Sequence, residues 1–136
     1  MCLCLQKKVH SYTALITKVI QSETSTNPVR FSFKGNWCTY VTDEGNDRIQ
    51  VFQQDGSFIR QFGNGIVKSP TGIAATSDGH IVVASHSTHK LSIFTKSGRC
   101  VHEVTDIGLK GPRGVTVDQD GLIYVTDDEK NRIVVI

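Results

Sequence analysis

The sequence predicts an all-β protein: a partial, open β-propeller of about three four-stranded antiparallel blades with a 42-residue repeat. Two observations predict it. The prolines of the 136-residue chain recur at one interval, at Pro28, Pro70 and Pro112. Apolar positions keep the same offset without insertion or deletion, as at Val41, Val83 and Val125. A repeat of about 40 to 50 residues made of short strands is typical of a propeller blade.

Four short strands are predicted within one repeat. Apolar runs at 72–76, 80–84, 90–95 and 99–104 predict strands a, b, c and d. The Asp78-Gly79 pair between strands a and b predicts a type I′ turn, because Asp and Gly tolerate positive φ at both central positions. No segment shows a 3.6-residue apolar period, so almost no helix is expected.

The apolar residues of this repeat are expected on both faces of the blade. One face is predicted to carry Ile73, Ala75, Ile81, Val83, Leu91 and Ile93. The other is predicted to carry Ala74, Val82 and Phe94. Apolar side chains on both faces suit a blade that packs between two neighbours.

The repeat divides the chain into two parts. Residues 27–136 are predicted to form the propeller arc, with blades at about 28–62, 70–104 and 112–136, the last incomplete. Residues 1–26 are interpreted as the tail of a preceding blade or an irregular segment, since residues 15–20 align with 57–62 at the 42-residue offset. Closed propellers have about four to eight blades. We therefore favour a fragment, over two copies that complete one ring or an arc marginally stable alone.

Composition restricts the function classes. Apolar residues make up 38% and charged residues 21%, which disfavours disorder. The net charge of +2 permits an acidic partner or nucleic acid without requiring either. The four cysteines form no Cys-x-x-Cys pair and are interpreted as reduced thiols of a cytoplasmic protein. No signal peptide, membrane segment or membrane partner is predicted.

The connection between strands b and c identifies the repeat type. Residues 40–52 and 123–135, with Pro-x-Gly at 70–72 and 112–114 and Asp-Gly at 55, 78 and 120, closely resemble the NHL repeat. The resemblance covers roughly residues 28–136. Three positions depart from it: Ser85 stands where the other blades have Asp, Thr88 stands in the place of Asn46, and Arg30 stands where the other blades have glycine. From the last departure we expect an ordinary backbone conformation at Arg30.

The amino-acid sequence of the blades is most similar to that of the tripartite-motif ubiquitin ligases, in which RING, B-box and coiled-coil regions precede the NHL propeller. Only the NHL part is present here, so the resemblance implies a recognition module without ligase activity. Such propellers bind substrates, protein partners or RNA. Amidating lyases and some lactonases use related propellers, but they need metal ligands around a central channel. We expect no enzyme activity, no metal and no cofactor.

The b–c and d–a connections are the surface on which this family usually binds. The candidate partner-binding residues there are Arg30, Asn46, Arg48, Lys68, His86, His89, Lys90, Lys110, Arg113, Asn131 and Arg132. Acidic residues accompany them, at Asp43, Glu44, Asp47, Asp127, Asp128 and Glu129. A surface that tracks phosphates would be more uniformly basic. We therefore expect a protein partner before single-stranded RNA.

Two smaller patterns allow a structural and a functional interpretation. Asp and Arg recur five residues apart in two blades, and recurrence favours structural braces made by Asp43 and Asp127 over a partner-binding pair. His86 and His89 have the spacing of a zinc pair but lie in a strand connection without matching ligands. They are predicted to be solvent-exposed loop histidines. No catalytic triad or nucleophile elbow is present.

Overall fold

The computed structural model describes residues 28–33 and 36–136, with side chains from Cys38 onward. Three antiparallel sheets follow one another along the chain. The first contains β1 (Pro28–Phe33), β2 (Asn36–Asp43), β3 (Arg48–Gln53) and β4 (Phe58–Phe62). The second contains β5 (Pro70–Ala75), β6 (Ile81–Ser85), β7 (Lys90–Phe94) and β8 (Cys100–Val104). The third contains β9 (Pro112–Val117), β10 (Ile123–Asp127) and β11 (Arg132–Val135).

The all-β class and the open propeller architecture are confirmed. Each sheet pairs its strands in sequence order, as a blade does. Strand a begins at Pro28, Pro70 and Pro112, so the sequence offset reappears in the structure. Helical structure in the described part of the chain consists of two short 3-10 turns, Glu44–Asn46 and Asp128–Lys130. The predicted N-terminal tail, 1–26, lies outside the described residues.

The predicted type I′ turn is wrong. Gly79 donates its N–H to the carbonyl oxygen of Thr76 at 3.0 Å, and Thr76 donates to His80 at 3.0 Å. Gly79 has φ of 91°, whereas Asp78 is not among the residues with positive φ. This is the three-residue loop in which a type I turn is followed by a bulged glycine. The same bonding pattern recurs at Gly56, Gly98 and Gly121.

Two apolar joints hold the three blades together. Between the first and second blades lie Tyr40, Ile49, Val51 and Phe62, packed with Ile73, Ile81, Val83 and Phe94. Between the second and third blades lie Val82, Ala84 and Leu91, packed with Leu109, Ile123 and Val125. The second blade therefore buries apolar side chains on both faces, as its composition indicated.

The predicted division of side chains between the two faces is partly wrong. Leu91 and Ile93 pack toward the third blade, and Phe94 packs toward the first. The cause is the pairing register, which sets Leu91 opposite Ala84 and Phe94 opposite Ile81. Directly opposite residues share a face. Alternation along one strand does not reveal this register, because a shift by one residue reverses every face.

The innermost strands of neighbouring blades approach closely. Thr71 Oγ1 donates to the carbonyl oxygens of Pro112 and Arg113 at 3.2 and 3.0 Å. A Cβ added at Gly72 would lie 2.3 Å from the carbonyl oxygen of Arg113. Gly72 does not have positive φ. Glycine is therefore required at position 72 because space is lacking and not because of the backbone conformation. Arg30, the equivalent residue of the first blade, lies in β1 opposite Thr39. An ordinary backbone conformation at Arg30 therefore does not distinguish the first blade from the second.

Candidate functional surface

Antiparallel strands place the b–c and d–a connections at one end of the blades and the a–b and c–d turns at the other. We call the first end the upper surface; it comprises residues 44–47, 63–69, 86–89, 105–111 and 128–131. The candidate residues lie in these connections or in the strand residues that flank them. Arg30 lies within β1. The partner-binding role of the whole set stays a prediction.

Asp127 anchors the third blade. It ends β10 and its side chain is fully buried. Its Oδ1 accepts the backbone N–H groups of Lys110 and Gly111 at 2.9 and 2.8 Å. Its Oδ2 accepts Arg132 Nε at 3.0 Å, and Arg132 Nη2 continues to the carbonyl oxygen of Gly108 at 2.9 Å. One carboxylate thus joins strand b, strand c and the d–a connection.

Asp43 occupies the same repeat position in the first blade and is 2% exposed. Its Oδ2 accepts Arg48 Nε at 2.7 Å and Gln50 Nε2 at 2.8 Å. Asn46 Nδ2 donates to its Oδ1 at 2.9 Å, and Arg48 Nη1 reaches Gln61 Oε1 at 2.9 Å. The side chains of Asn46 and Arg48 are therefore bound within the first blade, in the contacts that make up a structural brace around Asp43.

In the second blade the carboxylate that pairs with the cation of strand c lies on strand d and not on strand b. Ser85 replaces Asp, is fully buried, and its Oγ has no hydrogen-bond partner among the described residues. Lys90, in the place of Arg48, forms an ion pair with Glu103 of β8, in the place of Gln61. The cation at the start of strand c thus pairs inward in one blade and toward the outer strand in the next.

Replacing Ser85 by alanine is expected to change the free energy of unfolding by less than about 0.5 kcal/mol, because the lost hydroxyl leaves no donor or acceptor unpaired. Asp43→Ala at the equivalent position is expected to cost about 2 kcal/mol, because Arg48, Gln50 and Asn46 each lose an acceptor. Urea unfolding followed by circular dichroism measures both. Equal losses would contradict the difference between the two blades.

Asp47, one of the acidic residues predicted to accompany the candidate residues, links two blades. Its Oδ1 accepts the Ser69 N–H at 2.8 Å and its Oδ2 accepts Lys68 Nζ at 2.8 Å. The side chains of Lys68 and Asp47 are 55% and 36% exposed. These hydrogen bonds from Lys68 and Ser69 outweigh burial and lower the pKa of Asp47. Lys68 therefore serves the joint between the first and second blades.

The backbone gives a signal for this position that sequence reasoning missed. Asp47, His89 and Asn131 lie at the same place in successive repeats, and each has positive φ, between 47° and 56°. Asp, Asn and His are the non-glycine residues enriched in this conformation. The column of Asp, His and Asn at one repeat offset was visible in the sequence and predicts a left-handed residue closing the b–c connection.

The basic side chains of the upper surface are extensively paired. Arg113 Nε lies 3.1 Å from Asp128 Oδ2, with both side chains 59% exposed. Lys130 Nζ donates to the carbonyl oxygen of Gly108 at 3.1 Å. Lys110 is exposed, and its backbone N–H is the group that binds Asp127. The surface therefore presents alternating charges and not a continuous basic track.

The two histidines are less exposed than expected. His86 and His89 are both half-buried. The backbone N–H of His86 donates to the Ser69 carbonyl oxygen at 3.1 Å, and that of His89 donates to His86 at 3.3 Å. His89 Nδ1 is buried without a partner in the described residues. Both histidines lie in the b–c connection as predicted, but their side chains are only partly exposed, because the connection folds back on the preceding d–a connection.

Two further properties concern the described residues alone. Within residues 28–33 and 36–136, no three His, Cys, Asp or Glu side chains are grouped as metal ligands. The same residues include no helix long and apolar enough to cross a membrane.

The comparisons with known proteins agree with the repeat. The model of the NHL repeat matches residues 109–136, so the sequence resemblance is confirmed there at the level of repeat type. No curated protein matches the chain.

Solved structures show the fold. A streptogramin B lyase superimposes with a TM-score of 0.64 at 21% identity, covering 79% of this chain and 36% of the lyase. The β-propeller domain of Cps50 (Swd1) from Myceliophteria thermophila gives 0.63 at 11% identity, covering 79% and 38%. Virginiamycin B lyase from Staphylococcus aureus gives 0.61 at 19% identity, covering 80% and 40%. The chain thus spans less than half the length of these proteins.

Proposed function

We propose that this chain is a non-catalytic recognition module that binds a protein partner on its upper surface. The NHL repeat and the propeller architecture support an interaction module. The observation that carries the choice of a protein partner is the pairing of exposed charges, Lys68 with Asp47 and Arg113 with Asp128. Paired charges of both signs complement a polypeptide surface, and they give specificity of register.

The same pairing disfavours RNA as the ligand. A protein that neutralises phosphates needs basic side chains that are free to replace counterions. Arg48 and Arg132 are instead bound to the buried carboxylates of Asp43 and Asp127. The wider setting proposed is the substrate-recruiting part of a tripartite-motif-type ubiquitin ligase in the cytoplasm. The sequence resemblance supports that setting.

The first test is a charge reversal on the upper surface. The double variant Lys68→Glu/Arg113→Glu is expected to weaken partner binding about tenfold, equivalent to about 1.4 kcal/mol. The reason is that the two glutamates would repel acidic groups of the partner that the two cations attract. Arg99→Glu is the matched control, since Arg99 is exposed beside the c–d turn at the opposite end. Partners are collected by proximity labelling in cells, and one is then titrated against each purified variant by calorimetry.

The result separates the alternatives. Loss of a protein partner with the double variant and retention with Arg99→Glu supports the proposal. Salt-dependent retention of single-stranded RNA on a filter, lost with the same double variant, would replace the protein partner with RNA. Stoichiometric metal in the purified chain by elemental analysis would favour an enzyme of the propeller-lyase kind. Equal binding by all variants would remove the upper surface from recognition.

A further inference from the structure

The d–a connection between the first and second blades contains an Asn-Gly pair, Asn64-Gly65, and both residues are exposed on the upper surface. The carbonyl oxygen of Gly63 accepts the backbone N–H groups of Ile66 and Val67 at 2.9 Å each. Gly65 has φ of 79°. A positive φ at the third residue of a turn with this hydrogen bond is characteristic of a type II turn. The pair therefore lies at the tip of a tight turn that faces solvent.

The atoms of this pair are placed for a reaction within the chain. The backbone nitrogen of Gly65 can attack the side-chain carbonyl carbon of Asn64, because the product is an unstrained succinimide ring. Glycine has no side chain to obstruct the attack, and a Cβ added at Gly65 would find no atom within 4 Å. The side chain of Asn64 and the N–H of Gly65 have no hydrogen-bond partner among the described residues. The attacking nitrogen, its target and the space for the ring are thus all available.

The three Asp-Gly pairs of the chain provide a contrast. Aspartate can close the same ring onto a following glycine, and these pairs also lie in turns. In each of them the glycine N–H donates to the carbonyl oxygen three residues earlier, at 3.0, 3.0 and 3.2 Å for Gly56, Gly79 and Gly121. The nitrogen that would attack is therefore occupied in the Asp-Gly turns and unoccupied at Gly65.

The next repeat shows how the same position accommodates a carboxylate. At the 42-residue offset Asn64 corresponds to Asp106, which is exposed in the d–a connection between the second and third blades. Gly65 corresponds to Ile107, whose β-branched side chain crowds the backbone nitrogen that follows Asp106. Conversion of Asn64 to aspartate would thus give the first connection the charge that the second already carries.

We propose that Asn64 is a site of spontaneous deamidation on the upper surface. The Gly65 nitrogen loses its proton and forms a bond to Asn64 Cγ, and the bond from Cγ to Nδ2 breaks. Nδ2 leaves as ammonia and carries away the proton. Water then opens the succinimide ring, at Cγ to give aspartate or at the backbone carbonyl carbon to give isoaspartate. This proposal is independent of the proposed recognition function.

The two products differ in what they change. Aspartate adds a negative charge and leaves the main chain as it was. Isoaspartate also lengthens the main chain of the turn, because the chain then passes through Cβ and Cγ. The turn packs closely on the joint between the first two blades, since Val67 is fully buried and a Cβ at Gly63 would lie 2.8 Å from Ile49 Cδ1. Isoaspartate is therefore expected to disturb this joint, and aspartate is not.

The first test is to age the full chain at neutral and at mildly alkaline pH. Peptide mapping by mass spectrometry, against a sample digested without incubation, is expected to place deamidation at Asn64 ahead of Asn46 and Asn131. The reaction should be faster at the higher pH, because the attacking nitrogen must lose a proton. An isoaspartyl methyltransferase measures the isoaspartate product, which Asn64→Gln should lack because glutamine must close a larger ring. Absence of deamidation at Asn64, or equal deamidation at Asn46, overturns the proposal.

Unfolding in urea tests the structural reason. The ratio of the rate in the folded chain to the rate in urea removes the intrinsic difference between asparagine and aspartate. This ratio is expected to be near unity at Asn64 and well below unity at Asp55, Asp78 and Asp120, whose glycine N–H groups are released only on unfolding. Protection of Asn64 as strong as that of the three aspartates would overturn the assignment of a reactive turn.

Thermal unfolding distinguishes the effects of the products. Asn64→Asp carries the added charge alone and is expected to keep the unfolding midpoint of the fresh chain. An aged fraction enriched in isoaspartate is expected to unfold at a lower temperature. Equal midpoints for that fraction and Asn64→Asp would contradict the disturbance of the joint.

Discussion

Gly72→Ala is expected to lower the free energy of unfolding by about 3 kcal/mol, the upper part of the range for overpacking a filled interior. The added Cβ would lie 2.3 Å from the carbonyl oxygen of Arg113 and 2.9 Å from the backbone nitrogen of Val115. Both are backbone atoms of β9, so no side-chain rotation relieves the contact. The third blade must move away, which opens the apolar joint behind it. Urea unfolding followed by circular dichroism measures the loss.

Gly114→Ala is the matched control for this substitution. Gly114 occupies the same repeat position, and neither glycine has positive φ. A Cβ at Gly114 would meet Thr126 Oγ1 at 3.1 Å, a side-chain atom that can move. Its expected cost is below about 1 kcal/mol, because alanine also reduces the entropy of the unfolded chain. Equal costs at the two positions would show that close approach of β5 and β9 is not the reason for Gly72.

Asp127→Ala is expected to cost about 2 kcal/mol. The buried backbone N–H of Gly111 and that of Lys110 lose their acceptor, and Arg132 loses its ion pair. Arg132 is 40% exposed and can be rehydrated, which keeps the loss below that of a fully buried pair. The comparison variant is Ser85→Ala at the equivalent place in the second blade, measured by the same unfolding transition. A loss no larger than that of Ser85→Ala would contradict the brace.

The pH dependence of stability is expected to report the same carboxylate. Burial opposes ionisation of Asp127, but hydrogen bonds from Lys110, Gly111 and Arg132 outweigh it and lower its pKa. Its stabilising contribution is therefore present above the unfolded pKa of about 3.9 and is lost as the pH falls through the folded pKa.

Asp127→Asn should consequently lose less stability than wild type between pH 7 and pH 3. Thermal unfolding at the two pH values measures the difference. The lowered pKa values of Asp47, Asp78 and Asp118 affect both proteins alike. A parallel decline of the two proteins would show that Asp127 does not carry the effect.

The repeat was predictable because its equivalent residues recur at a constant interval along the chain. The starts of strand c at Arg48, Lys90 and Arg132 follow the offset of the prolines. Alternating β-branched residues and turn glycines are local features, and they determine where each strand begins and ends. For that reason the predicted strands 90–95 and 99–104 agree with β7 and β8 to within a residue at each end.

The candidate surface was predictable only as a region. The loops are given by the topology, but the partners of their side chains depend on neighbouring strands and blades. Lys90 pairs with Glu103 and Lys68 with Asp47, and neither pair follows from spacing within one connection. The recurring Asp and Arg of the first and third blades were identifiable because the same two strands contribute both residues.

The sequence by itself determined the fold class, the 42-residue repeat, the order of strands and the positions of the Asp-Gly turns, since these depend on local pattern. Tertiary structure alone decided which face Leu91 and Phe94 occupy, why Gly72 must be glycine and which carboxylate binds each cation. The physical reason is that strand register and blade separation are set by side chains packing across joints. Those contacts join residues tens of positions apart in the chain, where no periodic pattern records them.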